Sequence, residues 1–250
     1  TPVGASPISP AAKYTYANAP TITNVSPAGG PLVGGTPVTI TGTGFIAGTG
    51  NTTVMFGTNP GMSVNVSSNT SLTVITPPGG SAGPVGVVVS TIISPAATQV
   101  NGYTYLTVGM PFQGGVTACL YGGLNNLIAS DLIDGNFRWG NSNETTNAGS
   151  DSNGESNTNT IVSTVNFAPA AFFCHDFTGG GFTDWFLPSK NQLACLYENR
   201  VAVGGFESAF YWSSTETRKV SAWALNFNAD YLRPDPKSYA YKIRCVRAPS

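Results

Sequence analysis

Seven short stretches of alternating apolar and polar residues fill the first 107 positions and leave this part of the chain little but β-structure to form. They run over 21–25, 36–41, 52–56, 62–66, 71–76, 86–91 and 102–106. A period of two puts every second side chain on one face of a strand, so each stretch can bury one face and wet the other. Turns rich in Gly, Pro and Asn separate them, among them AGGP, GGTP, GTNPG and PPGGSAGP. Short strands at this spacing predict an immunoglobulin-like sandwich.

The same region repeats itself. The segment ISPAAKYTY, from Ile8 to Tyr16, returns as ISPAATQVNGYTY from Ile93 to Tyr105. Self-similarity at about one domain length marks an array of like modules, so residues 1–19 read as the tail of a preceding repeat. Between the copies, PTITNVSPAGGPLVGGTPVTITGTGF, then VMFGT and TVITPPG, resemble the IPT/TIG domain over 20–108. The resemblance implies a stacked spacer, with further IPT/TIG-like repeats N-terminal to this one as partners. Relatives in transcription factors bind DNA, but the charge here opposes that role. The net charge is −1 and only 9% of residues are charged, against about 25% in an ordinary soluble domain. That leaves no basic footprint for nucleic acid and no polybasic membrane patch. No apolar run approaches the roughly 18 residues that span a bilayer, so membrane insertion is not expected. Ser, Thr, Asn and Gly in place of charge suit an extracellular protein, on a bacterial cell or a phage virion surface.

The second half, 109–250, is organised around GGGFTDWFLPSKNQLACLYENR, followed by FYWSSTE. Phe182 to Leu187 reads as a strand that runs into Pro188. A helix follows, with Ser189 as its cap and Gln192 placed to close a capping box. Leu193, Leu196, Tyr197 and Val201 then share one helical face. Upstream, 115–121 and 126–130 read as a hairpin, 140–160 as a long polar surface loop, and 168–177 as a short helix. The four cysteines are Cys119, Cys174, Cys195 and Cys245. None forms a CxxC pair, so metal-ligand spacing is absent. In an exported domain they suggest two disulfides, with three pairings open. The expected set is Cys174–Cys245 with Cys119–Cys195, joining helices to strands; four buried free thiols are the alternative.

AAFFCHDFTGGGFTDWFLPSKNQLACLYENR, FYWSSTE, Ala222-Trp223 and Ile243-Arg-Cys-Val-Arg247 together resemble the Lcl C-terminal-domain-like family. That resemblance implies a C-type-lectin-like α+β fold, related in architecture to formylglycine-generating enzymes, with a role in adhesion and no catalysis. The family's namesake is a bacterial adhesin that recognises sulfated glycosaminoglycans, and this chain departs from it by lacking a Lys/Arg cluster. The sole histidine, His175, lies next to Cys174 and Asp176, and a Cys–His couple on adjacent helical positions points its side chains apart, a poor nucleophile–base pair. Asp230 and Asp235 flank Arg233 and read as a salt-bridged loop. The motifs of calcium-dependent lectins are missing. The expectation is no catalytic residue, no metal and no cofactor.

Functional residues are expected in 217–241. Within it Trp223, Leu225 and Phe227 are expected on a core face, and Ala224, Asn226 and Asn228 on the outward one. Thr217, Arg218, Lys219 and Ser221 precede this alternation; Asp230, Tyr231, Arg233 and Asp235 follow it, then Ser238, Tyr239 and Tyr241. These fourteen outward or flanking residues form the expected ligand-binding set. Tyr supplies rigid contact area and Arg forked hydrogen bonds, as in a paratope. Lying between fixed framework blocks, they also match the layout of variable proteins of diversity-generating retroelements. The expected function is a surface-displayed adhesin or receptor-binding protein that takes a cell-surface protein or glycan. The alternative is a virion-decoration or filament subunit, a homo-oligomer with no small ligand.

Overall fold

The computed structural model describes residues 18–120, 126–133 and 135–250. Strands β1 (Thr21–Ser26), β3 (Pro37–Thr43), β7 (Ser71–Ile75) and β6 (Met62–Ser68) form one antiparallel sheet in the order β1-β3-β7-β6. The second sheet has the order β2-β9-β8-β4-β5, from Gly29–Pro31, Ser94–Leu106, Gly83–Thr91, Thr52–Phe56 and Asn59–Pro60. Its β2–β9 pair is parallel and the other pairs are antiparallel. The expected immunoglobulin-like region is present. Alternation works as read: in β3 Val38 and Ile40 are buried, while Thr39 points out and Thr41 is half-exposed. Val25, Phe45, Val54, Phe56, Leu72, Val74, Val87 and Val89 join them in one core, closed by Tyr103 and Tyr105. The last strand begins at Ser94, eight residues before its expected start at 102, because 94–99 pair back onto β8 through Thr91↔Ser94. Most of the 1–19 tail lies outside the described residues.

Between Lys13 and Asp131 the sequence contains no Asp, Glu, Lys, Arg or His. The sandwich therefore has nothing to titrate in the acid and neutral range. Its phenols Tyr103 and Tyr105 are both pushed up by burial, Tyr105 to about 12. A raised acid is stabilising while neutral. Its contribution is complete below the unfolded value of about 10 and is lost as pH rises through the folded one. The urea midpoint of the sandwich amides, followed by NMR, is expected to stay level from about pH 4 to 9 and to fall above about 10. A drop in mild acid would contradict this account.

In the second half, β10 (Pro111–Phe112), β11 (Gly115–Cys119), β12 (Leu127–Ala129) and β18 (Val246–Arg247) form an antiparallel sheet in that order. A second sheet comprises β14 (Phe210–Arg218), β15 (Ser221–Asn226) and β16 (Tyr231–Pro236), and β13 (Phe137–Arg138) pairs with β17 (Ala240–Tyr241). The helices are α1 (Gly154–Thr164), α2 (Pro169–Asp176), α3 (Lys190–Glu198) and α4 (Arg200–Val203). Helix α3 starts where expected: the Ser189 side chain accepts from Gln192 N–H, and Gln192 Oε1 accepts from Ser189 N–H at 2.9 Å. Gln192 Oε1 also accepts from Gly154 N–H, which ties the start of α1 to that of α3. Both disulfides form with the expected pairing, Cys119–Cys195 and Cys174–Cys245, and they cross in sequence order. At the other end of the chain, Ala28 N–H donates to Ser250 O at 3.0 Å, so the last residue meets the sandwich.

Three expectations need correction. Residues 182–187 are not a strand; only Phe186 bridges, to Val246. Trp185 and Leu187 enter one core and Phe186 the other, so the apolar pattern is satisfied without a ladder. Val201 is 89% exposed, because α3 ends at Glu198 and the helical phase restarts after Asn199. Lastly, 154–164 is helical instead of a loop. Asn153 caps it by accepting from Ser156 N–H, and its inward face carries Asn157 and Thr158 besides Ile161. Those polar groups are bonded inside: Asn157 exchanges hydrogen bonds with Ser150, and Thr158 donates to Gly154 O.

Candidate functional site

In the sheet β14-β15-β16, strands β14 and β15 carry buried residues on both faces. One core takes Trp212, Ala222 and Ala224; the other takes Tyr211, Leu225 and Phe227. Of the residues expected on the outward face, Asn226 is half-buried and Asn228, beyond the end of β15, is exposed, but Ala224 is inward. Ala224 is fully buried opposite Trp212, where a small side chain leaves room for the indole, and it cannot reach a ligand. Trp223, expected in the core, is half-buried instead, with Lys190 Nζ 5.0 Å above its ring.

Register places the remaining candidates. Phe210, Asn226 and Tyr231 are cross-strand neighbours, as are Trp212, Ala224 and Arg233. Six residues of strand span about 20 Å, so the two ends of β15 are separate. Arg218 ends β14 and Lys219 sits in the first turn, and Ser238 follows Lys237, whose N–H donates to Val220 O. Asn228 and Asp230 sit in the far turn, where Asp230 has φ 47°, a left-handed conformation that Asp tolerates. Thr217 bonds Ser221 across the first turn at 2.7 and 2.9 Å, so both are framework.

Aromatic and charged groups bridge the two ends. The rings of Tyr239 and Tyr241 are 6.0 Å apart, and Tyr241 stacks on Phe210 at 5.0 Å. The Arg233 guanidinium lies 4.5 Å above Phe210 and 5.7 Å from Tyr231. Asp235, itself buried, accepts from Arg233 Nε at 2.8 Å and from the Tyr241 hydroxyl at 2.9 Å. That carboxylate raises Arg233 above its usual range, while burial, then Asp235, raises Tyr241 and keeps it a neutral donor. Tyr231 and Tyr239 remain 53% and 49% exposed at the two ends. The result is a strip of solvent-facing rings around a preorganised arginine.

A buried ion pair, missed by sequence reasoning, holds the strip in place. Lys237 Nζ donates to Glu216 and to the carbonyl of Glu144, and lies 4.5 Å from the Trp139 ring. Glu216 also accepts backbone N–H from Thr146 and Asn147. The available signal was scarcity: only 9% of the chain is charged, so each Lys or Glu stands out. His175 lies at the surface, its Nδ1 2.7 Å from Asp176 Oδ1. Among the described residues, no three His, Cys, Asp or Glu side chains gather as a metal site, and no helix is long and apolar enough to cross a membrane.

Fold and disulfides define a two-part class: an immunoglobulin-like sandwich followed by a cross-linked unit of helices and small sheets. Family models make that specific. Residues 20–105 match the IPT/TIG domain and residues 135–247 the Lcl C-terminal domain, so the chain carries one followed by the other. No curated protein matches the chain. Among solved structures, the plexin A4 extracellular region is 31% identical over 35% of this chain, with a TM-score of 0.31; the match spans 8% of that chain. The TIG domain of human nuclear factor of activated T-cells, cytoplasmic 4, is 21% identical, covering 35% of this chain and 87% of its own, at a TM-score of 0.30. A fimbrial protein from Bacteroides ovatus covers 84% of this chain and 75% of its own at 12% identity and a TM-score of 0.41. All three scores lie below 0.5 and carry no functional argument.

Proposed function

We propose that the chain is a non-enzymatic, surface-displayed binding protein, an adhesin or receptor-binding module. The sandwich and like repeats before it act as a stalk, and a C-type-lectin-like second half is the head. The observation that carries this reading is the strip from Tyr239 to Tyr231. Two half-exposed tyrosines flank an arginine fixed by a buried aspartate, as in hot spots, where rigid aromatic and Arg side chains dominate affinity. Two disulfides and sparse charge support an extracellular setting on a bacterial or phage surface. The ligand is a protein or glycan on a cell surface, bound by shape and aromatic contact.

Screening glycans and intact cells against the native chain, Tyr231→Ala and Tyr239→Ala tests this. Each variant is expected to lose at least roughly thirtyfold in affinity and to keep its unfolding midpoint, because both side chains lie at the surface. Binding that survives both changes would remove the strip from the site. Diversification by a retroelement is part of the proposal. Sequencing the 3′ end of the gene across its source population should find substitutions within 217–241, sparing Ala224, Asp235 and Lys237. An invariant end leaves a fixed adhesin. The exposed Val33, Ile92, Ile93 and Val100 of the sandwich favour a second reading, a self-associating structural subunit; a polymer or ring in solution at micromolar concentration would support it.

A further inference from the structure

Helix α2 carries apolar surface that its own core covers only in part. Ala170, Ala171 and Cys174 face inward and are buried. Pro169, Phe172, Phe173 and Asp176 recur at helical spacing on another face, and Phe177 follows at the C-cap. A soluble helix ordinarily places charged and polar residues on such a face. Here the phenylalanines are half-buried around an open cleft of about 480 Å³, with Phe137 of β13 as its far wall. The volume falls in the range of small-molecule sites. The rings brace one another: Phe137 and Phe173 are 4.9 Å apart and tilted, Phe173 and Phe177 are 5.8 Å apart and stacked. The Cys174–Cys245 disulfide fixes the helix from behind.

Among the described residues, Asp176 is the only charged group lining the cleft. His175 Nδ1 meets its Oδ1, and Oδ2 has no partner among the described residues. Aromatic faces present negative potential, and a carboxylate beside them adds to it. Thr178 is the other polar residue of the lining; the Asp176 carboxylate repels an anion, and a neutral apolar ligand would leave that carboxylate unused. We infer that the cleft binds a quaternary ammonium of the choline type, with methyl groups against the rings and the cationic centre beside Asp176. Among the described residues no Lys or Arg lines the cleft to receive an anionic group, so the preferred ligand is free choline, not phosphocholine. This site is distinct from the Tyr239–Tyr231 strip and does not rest on it.

Titrating the full chain with choline at constant ionic strength, followed by aromatic NMR signals, tests the inference. The control is 3,3-dimethylbutan-1-ol, which has the same shape without the charge. Saturable shifts of Phe172, Phe173 and Phe177 are expected, with the neutral analogue binding roughly tenfold more weakly. Asp176→Asn should remove most of that difference and leave the neutral probe unchanged; its side chain is 70% exposed, so folding is unaffected. Phe172→Ala should weaken both probes. Phosphocholine should bind no better than choline. No saturable choline shift, equal affinity for the charged and neutral probes, or an Asp176→Asn variant that still discriminates would each overturn the assignment.

Discussion

Lys237→Met is expected to lower the stability of the second half by about 3–5 kcal/mol, the cost of leaving one member of a buried ion pair without its partner. The Lys237 and Glu216 side chains are only 1% and 5% exposed. Without the ammonium, the Glu216 carboxylate keeps two backbone N–H donors but loses its counter-charge, and the Glu144 carbonyl loses its donor. Apolar volume is not the issue, since methionine fills much the same space. The double variant Glu216→Gln/Lys237→Met should therefore recover a substantial part of the loss, because no buried charge then stands alone. Trp139, Trp185, Trp212 and Trp223 are the protein's four tryptophans and all lie in this half, so their emission during urea unfolding reports it selectively. A Lys237→Met midpoint within about 0.5 kcal/mol of the native one would mean that the pair is effectively solvated.

Trp212→Ala should be comparably severe, at about 3–5 kcal/mol. The indole is fully buried, its Nε1–H donates to Phe137 O at 2.9 Å, and its ring lies 4.7 Å from Tyr241. Removing it empties the space beside Ala224 and takes the donor from Phe137 O. It also removes the backing of Tyr241, so ligand binding should weaken even below the unfolding transition. Trp212→Phe keeps most of the apolar contact and should cost clearly less. Equal losses for the two variants would show that the hydrogen bond, and not the packing, dominates.

The sandwich was legible because one face of each strand is wet, so hydrophobicity alternates and the turns are marked by Gly and Pro. The second half was harder for a related reason. Strand β15 has cores on both sides, so Ala224 and Trp223 could not be assigned by alternation: small size marked a buried position, and a large ring lay half in solvent under Lys190. Helix α1 was hidden because its inward face uses Asn157 and Thr158, whose hydrogen bonds only the folded chain supplies. Val201 was misplaced because helical phase was carried through a break at Asn199. The α3 capping box was local enough to read, whereas the disulfide pairing, at sequence separations of 76 and 71, was one of three that the cysteine count left open. The strip was legible as a list of residue types; its order, from Tyr239 through Arg233 to Tyr231, came only from register.

The crossing of the two disulfides has a consequence for how the second half would respond to a protease. A single cut at any peptide bond between Cys119 and Cys245 falls inside at least one of the two covalent loops, so it releases no fragment. A nick in the hairpins that carry the strip leaves both pieces attached to each other and to the sandwich. The second half can be cleaved and still stay joined to the first, and only a second cut or a reductant detaches a piece.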